Sequence, residues 1–112
     1  MSSDTIRAAF EEFLASQDTL VLATVGPDDV PMAHGMHYAS EGAVVYCSSL
    51  PGTRKLVNLA HSPMVGYATH RLGTFRDRGE ARTAQVKGHA TIVDDQPEVE
   101  RIRALLKERL PW

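Results

Sequence analysis

With 112 residues, 43% of them apolar and 23% charged, the chain has the composition of one globular domain and too little length for two. A formal charge of −2 leaves no basic excess, which argues against a nucleic-acid or anionic-membrane partner. The single cysteine, Cys47, forbids an intrachain disulfide, no apolar run approaches the roughly 20 residues of a membrane helix, and Met1-Ser2-Ser3-Asp4 lacks a signal-peptide pattern, so a soluble cytoplasmic protein is expected.

A first helix is predicted from a cap at Ser3 or Asp4, with Ile6, Phe10, Phe13 and Leu14 along one stripe and an end at Ser16-Gln17-Asp18. Thr19 to Val25 is rich in β-branched residues and reads as a strand, followed by turn chemistry at Gly26-Pro27-Asp28-Asp29. Val30 to Ala39 and Ala43 to Ser49 read as a hairpin joined through Ser40-Glu41-Gly42. Leu50-Pro51-Gly52 breaks the strand. A short helix over Thr53 to Ala60 is expected to turn Leu56, Leu59 and Ala60 inward, and Ser62-Pro63 stops it.

Met64 to His70 returns as a strand, and the polar stretch Arg71 to Arg82 reads as a long exposed loop. Thr83 to Val93 is a further strand, interrupted by Gly88. A last helix begins at Asp94-Asp95-Gln96-Pro97, with Val99, Ile102, Leu105, Leu106 and Leu110 as its apolar side. Lys107 and Arg109 favour its C-terminal dipole, and Pro111 ends it. Five strands joined by tight turns imply a mainly β domain: an antiparallel sheet closed, or nearly closed, into a barrel with flanking helices. A domain this small buries only about two-thirds of the surface its unfolded chain exposes, so a partner surface would help it.

The stretch from Tyr46 through Lys55 carries the chemistry. A strand runs out through Pro51-Gly52 and a helix begins at once. Free N–H groups at a helix start, together with its dipole, favour an anion there. Thr53 adds a hydroxyl, Arg54 a planar fork and Lys55 a point charge, all common phosphate partners. The plain alternative is that Thr53 only caps the helix while both cations face water. Two cations in a first turn oppose the dipole by roughly 0.3–1 kcal/mol each, a term that a bound phosphate reverses.

These residues resemble the pyridoxamine 5′-phosphate oxidase-like family of FMN-binding split barrels. The resemblance runs through Leu22-Ala23-Thr24-Val25 with Pro31, Gly42 to Cys47, Gly52-Thr53-Arg54-Lys55, Asn58-Leu59, Ser62-Pro63 and Gln85-Val86-Lys87-Gly88-His89-Ala90 with Asp94. It implies an antiparallel split β-barrel binding FMN as a homodimer, with flavin sites at the subunit interface. By that resemblance Thr53, Arg54 and Lys55 hold the phosphate. Tyr46, Cys47 and Ser48 line the ribityl chain and ring, His34 and Met36 lie along the flavin, and Gln85 approaches it, across the dimer interface in one arrangement. The implied activity is a flavin-dependent oxidation or reduction of a small molecule. A deazaflavin F420 or haem on the same barrel, carried without catalysis, is the alternative, since related split barrels include haem binders.

Three departures shape the expectation. The loop from the Tyr46 strand to Gly52 is two residues longer than in the oxidase, His34 replaces an arginine, and the sequence stops at Trp112 where many members continue into another strand. Turnover of pyridoxamine 5′-phosphate is therefore not expected. His34 and His37, three apart on a strand, point to opposite faces and build no shared metal site. Cys47 reads as a small buried residue, Met32, Met36 and Met64 as packing, and the Arg71–Arg82 stretch as solvated or as a lid.

Overall fold

The computed structural model describes residues 2–71 and 81–110. Helix α1 spans Ser3–Ser16, and its cap is Ser2, whose side-chain oxygen accepts the Thr5 N–H at 3.2 Å. The cap thus lies one residue earlier than expected, which leaves Asp4 in the first turn, where the dipole favours it. Only the far end of the apolar stripe is covered: Leu14 is fully buried while Ile6 is 56% exposed.

Strand β1 (Thr19–Val25) pairs antiparallel with β2 (Pro31–His37), from Thr19↔His37 to Val25↔Pro31. This cuts back the expected hairpin between Val30–Ala39 and Ala43–Ser49, which keeps only its turn end, where Ala39 pairs with Tyr46 around Gly42. The turn after β1 is closed by Asp29 N–H donating to the Gly26 carbonyl at 3.0 Å and Val30 N–H to Asp28 Oδ1 at 3.2 Å, so β2 folds back on β1. Tyr38 then ends β2. Its N–H donates to the Asp18 carbonyl at 2.9 Å and its hydroxyl to the Leu14 carbonyl at 2.6 Å. Beyond it β3 (Ala39–Glu41) and β4 (Val44–Tyr46) form a short ribbon of their own, turned at Gly42 with φ +61°.

Helix α2 (Arg54–His61) leads into β5 (Met64–Arg71), which inserts beside β1 in antiparallel register and pairs on its other side with β6 (Arg82–His89). Strand β6 stops at His89, not Val93, because its partner begins at Met64; Ala90 N–H closes the ladder on the Pro63 carbonyl at 2.8 Å. Ile92 and Val93 are left exposed. Arg71 and Arg82, expected in a loop, are facing strand ends. The rest of that expected loop, and the lid reading of it, lies outside the described residues. Helix α3 (Gln96–Arg109) is capped by Asp95, which accepts from Glu98 N–H at 3.2 Å, with Pro97 in its first turn.

The described strands form a four-stranded antiparallel sheet, β2-β1-β5-β6, and the separate β3-β4 ribbon. Among the described residues they do not close into the expected barrel, because β2 stops at Tyr38 and β3 pairs only with β4. Strand alternation gives the sheet two unlike faces. Leu20, Leu22 and Thr24 of β1 share one face with His34, Tyr67 and Val86, and α2 packs on β1 and α1 on β6. Val21 and Ala23 share the other face with Gly35, Ala68 and Gln85, and Val21 is 41% exposed.

Helix α3 closes an apolar cluster of Ala39, Ile102, Leu106 and Leu110, flanked by Tyr46 and Leu105. In α2, Leu56 and Leu59 are half-buried, Ala60 is exposed rather than inward, and the fully buried position is Asn58. Among the described residues no helix is long and apolar enough to cross a membrane.

Candidate anion site at the start of helix α2

The chain enters α2 through a turn in which Gly52 has φ +76°, a left-handed conformation that glycine adopts without a Cβ penalty. Thr53 occupies the N-cap position, yet its side chain makes no capping bond; its hydroxyl instead meets Ser49 Oγ at 3.0 Å. No acidic residue stands in the first turn, and Arg54 and Lys55 do. Leu56 N–H already donates to the Thr53 carbonyl at 3.1 Å, so the N–H groups of Arg54 and Lys55 are the ones this helix start leaves without a helical partner, beside the positive charge of their own side chains. The nearest compensation is Asp28 on the β1–β2 turn, whose Oδ2 lies 3.2 Å from Arg54 Nη2; the two side chains are 47% and 56% exposed.

Lys55 acts through its charge on two other predicted residues. Its charge, after burial, lowers the pKa of His34, and it pulls against the burial that pushes the Cys47 thiol up to about 11. Cys47 is therefore a neutral thiol at neutral pH and a poor nucleophile. His34 Nε2 lies 3.1 Å from Thr24 Oγ1, and Asn58 Nδ2 donates to that same oxygen at 3.0 Å. Thr53, Arg54 and Lys55 thus stand at the start of α2, His34 is joined to the same helix through Thr24 and Asn58, and Cys47 feels the Lys55 charge.

Four predicted residues are placed differently. The Tyr46 hydroxyl donates to Glu41 Oε1 at 3.3 Å and accepts from Arg101 at 3.1 Å, while the Arg101 guanidinium stacks 5.6 Å from the ring centroid. Tyr46 is thus engaged by α3. Ser48 is exposed on the loop before the Pro-Gly turn. Met36 shares the face of His34 and also borders a cleft of about 270 Å³ that opens on the far face among Val21, Gly35, Ala68 and His70. Gln85 projects from that far face, opposite His34.

Sequence reasoning missed Thr24, Asn58 and Asp28 as parts of the site. The one available signal was Asn58: a polar residue between Leu56 and Leu59 on the inward side of a short helix requires a buried partner. Among the described residues no three His, Cys, Asp or Glu side chains converge as a metal set.

The fold is a small antiparallel-sheet protein whose α2 start, cationic and without a side-chain cap, has the character that favours an anion. The family model for pyridoxamine 5′-phosphate oxidase matches residues 6–111, and the chain belongs to that family. No curated protein matches it. Among solved structures, a conserved hypothetical protein of Mycobacterium tuberculosis is 28% identical over 99% of this chain, with a TM-score of 0.84; the chain spans 65% of that protein's length. The haem storage protein HutZ of Vibrio cholerae matches with 19% identity and a TM-score of 0.74, covering 92% of this chain and 74% of its own. An FAD-binding protein of Mesorhizobium loti matches with 20% identity and a TM-score of 0.74 over all of this chain and 78% of its own. The last two likenesses establish a common fold.

Proposed function

We propose that the chain binds FMN, holding the phosphate at the start of α2, and acts as a homodimeric flavin-dependent oxidoreductase on a small molecule other than pyridoxamine 5′-phosphate. The observation that carries this reading is the first turn of α2, where two cations stand with no acidic residue and no side-chain cap. Among the described residues the other two helices are conventional: each has a side-chain cap and an acidic residue in its first turn.

The donor set fits a phosphate. Thr53 supplies a hydroxyl, Arg54 a fork that Asp28 now engages, and Lys55 a charge. When bound, the flavin supplies the redox chemistry, and the protein supplies position and electrostatics. In this reading the four-stranded sheet and the β3-β4 ribbon are the two parts of an antiparallel split barrel. Gln85 reaches the flavin of a second copy, because it stands on the opposite face from His34. A cytoplasmic site of action accords with Cys47 as a neutral free thiol.

Haem carriage is the second reading, favoured by the likeness in fold to the haem storage protein. Mass spectrometry of small molecules released from the purified protein separates FMN, a deazaflavin and haem. Charge-assisted hydrogen bonds contribute about 1.5–3 kcal/mol each, so replacing both Arg54 and Lys55 with alanine should weaken FMN binding by about 100-fold or more. The far-ultraviolet circular dichroism should stay the same. Equal affinity in the wild type and the double variant refutes the phosphate assignment.

A further inference from the structure

We infer that Thr24 and Asn58 are positioning residues that fix His34 as the neutral imidazole protonated on Nδ1, so that His34 meets a bound ligand as a hydrogen-bond donor and not as a metal ligand through Nε2.

The inference follows from counting protons along a buried chain. Asn58 is 1% exposed and Thr24 is 2% exposed, so water completes neither. The Asn58 amide nitrogen donates to Thr24 Oγ1 at 3.0 Å. The Thr24 hydroxyl, having accepted that bond, holds one proton of its own, and the other group within reach is His34 Nε2 at 3.1 Å. A neutral imidazole carries one N–H and one acceptor nitrogen. If Nε2 carried a proton, the hydroxyl would accept from both Asn58 and His34, as its two lone pairs allow, but its own buried proton would be left without an acceptor, at a cost comparable to a lost hydrogen bond. Nε2 is therefore the acceptor, and the ring proton sits on Nδ1.

Burial and the Lys55 charge both favour the neutral ring. Asn58 Oδ1 is a buried acceptor with no partner, and the reverse amide orientation, with Oδ1 accepting from the Thr24 hydroxyl and Nε2 donating to it, is the rival that the imidazole spectrum decides for or against. That oxygen fills the space beside Gly26, where any Cβ would collide with it.

The chemical consequence is a selection among ligands. Iron coordination through Nε2 would break the Thr24 bond, and Nδ1 carries its proton. The ring offers a neutral N–H to a carbonyl oxygen or ring nitrogen, which a flavin has and a porphyrin face lacks. That identification of the acceptor rests on the flavin reading above; the tautomer does not.

The test begins on ¹⁵N-labelled protein without ligand, using long-range ¹H–¹⁵N correlation of the imidazoles, with the His34 signals assigned by their loss in His34→Asn. The expected result is a protonated Nδ1 and an unprotonated Nε2 in the wild type. Thr24→Ser should retain this pattern, and Thr24→Val should move it toward the Nε2–H tautomer. A wild-type Nε2–H signal overturns the inference, since it means the amide and hydroxyl run in reverse. A Thr24→Val spectrum that matches the wild type also overturns it.

The second arm titrates FMN. His34→Ala should lose about three- to tenfold in affinity, the range of one neutral hydrogen bond. His34→Asn, whose amide nitrogen stands near the place of Nδ1, should recover most of it. Equal affinity in His34→Ala overturns the ligand-facing role. Failure of the wild type to bind FMN refutes the flavin reading, while the tautomer is still decided by the first arm.

Discussion

Replacing Asp28 with asparagine should tighten FMN binding even though it removes an ion pair. Arg54 Nη2 sits 3.2 Å from Asp28 Oδ2, and both side chains are about half exposed. Exposed pairs of this kind contribute about 0.2–1 kcal/mol. A guanidinium that turns to a phosphate gives up some or all of that interaction, so the pair opposes binding by up to the same amount. Asparagine keeps the shape and the Oδ1 that accepts Val30 N–H at 3.2 Å, so the turn should hold. The gain is then roughly 1.4- to 5-fold in Kd. Fluorescence quenching of FMN or titration calorimetry reads it directly. The gain should shrink at 1 M salt, where screening acts over about 3 Å. It should also vanish in an Arg54→Ala background, where nothing is left to release. Weaker binding by Asp28→Asn, or an equal gain without Arg54, refutes the competition between Asp28 and the phosphate.

Tyr38→Phe should cost about 1 kcal/mol in urea unfolding, because the Leu14 carbonyl loses the tyrosine hydroxyl at 2.6 Å but keeps Gln17 N–H at 3.3 Å. Gly26→Ala should destabilise by about 1–3 kcal/mol, since the new methyl meets the buried Asn58 amide; its backbone φ is not in the left-handed region, so packing alone accounts for the loss. Alkylation of Cys47 by iodoacetamide should be slow at pH 7–8 and rise toward pH 11, as its thiol is held at about 11 by burial. The same shift makes the folded state bind this proton more tightly than the unfolded chain, whose thiol titrates near 9.0. Its contribution to stability is full below pH 9 and is lost between pH 9 and 11; a Cys47→Ser variant that falls off identically over that window would show that another group is responsible.

The helices were the legible part of this chain, because their signals are local. The stripe ending at Leu14, the Asp95 and Pro97 start of α3, and the Ile102, Leu106 and Leu110 positions are set within a few turns of chain. The Gly52 turn into Thr53, Arg54 and Lys55 was legible for the same reason. Strand partnership was not. Which strand β2 joins is decided by Asp29 and Asp28 closing the turn behind it and by Tyr38 tying down its far end on Leu14, a contact across 24 residues. Ile92 and Val93 have every β-forming tendency and still lie outside the sheet, since β5 begins too late to pair with them. Thr24 and Asn58 escaped notice because a buried polar chain has meaning only once its members are adjacent, and they are 34 residues apart.

The two faces of the sheet bear most directly on the proposed assembly. His34 lies in the row Leu22, Tyr67 and Val86, and Gln85 lies in the row Val21, Gly35 and Ala68. Successive residues of a strand project to opposite sides, so no rotamer brings His34 and Gln85 of one chain to the same ring through the sheet. A flavin touched by both is therefore held by two chains, each giving His34 and the α2 start to one ligand and Gln85 to the other. Such a site links cofactor binding to association, because a ligand that bridges subunits stabilises the dimer by mass action. Dimer dissociation, followed by sedimentation on dilution, should then move to lower protein concentration when FMN is added. A dissociation constant unchanged by saturating FMN would place the whole site within one subunit and remove Gln85 from it.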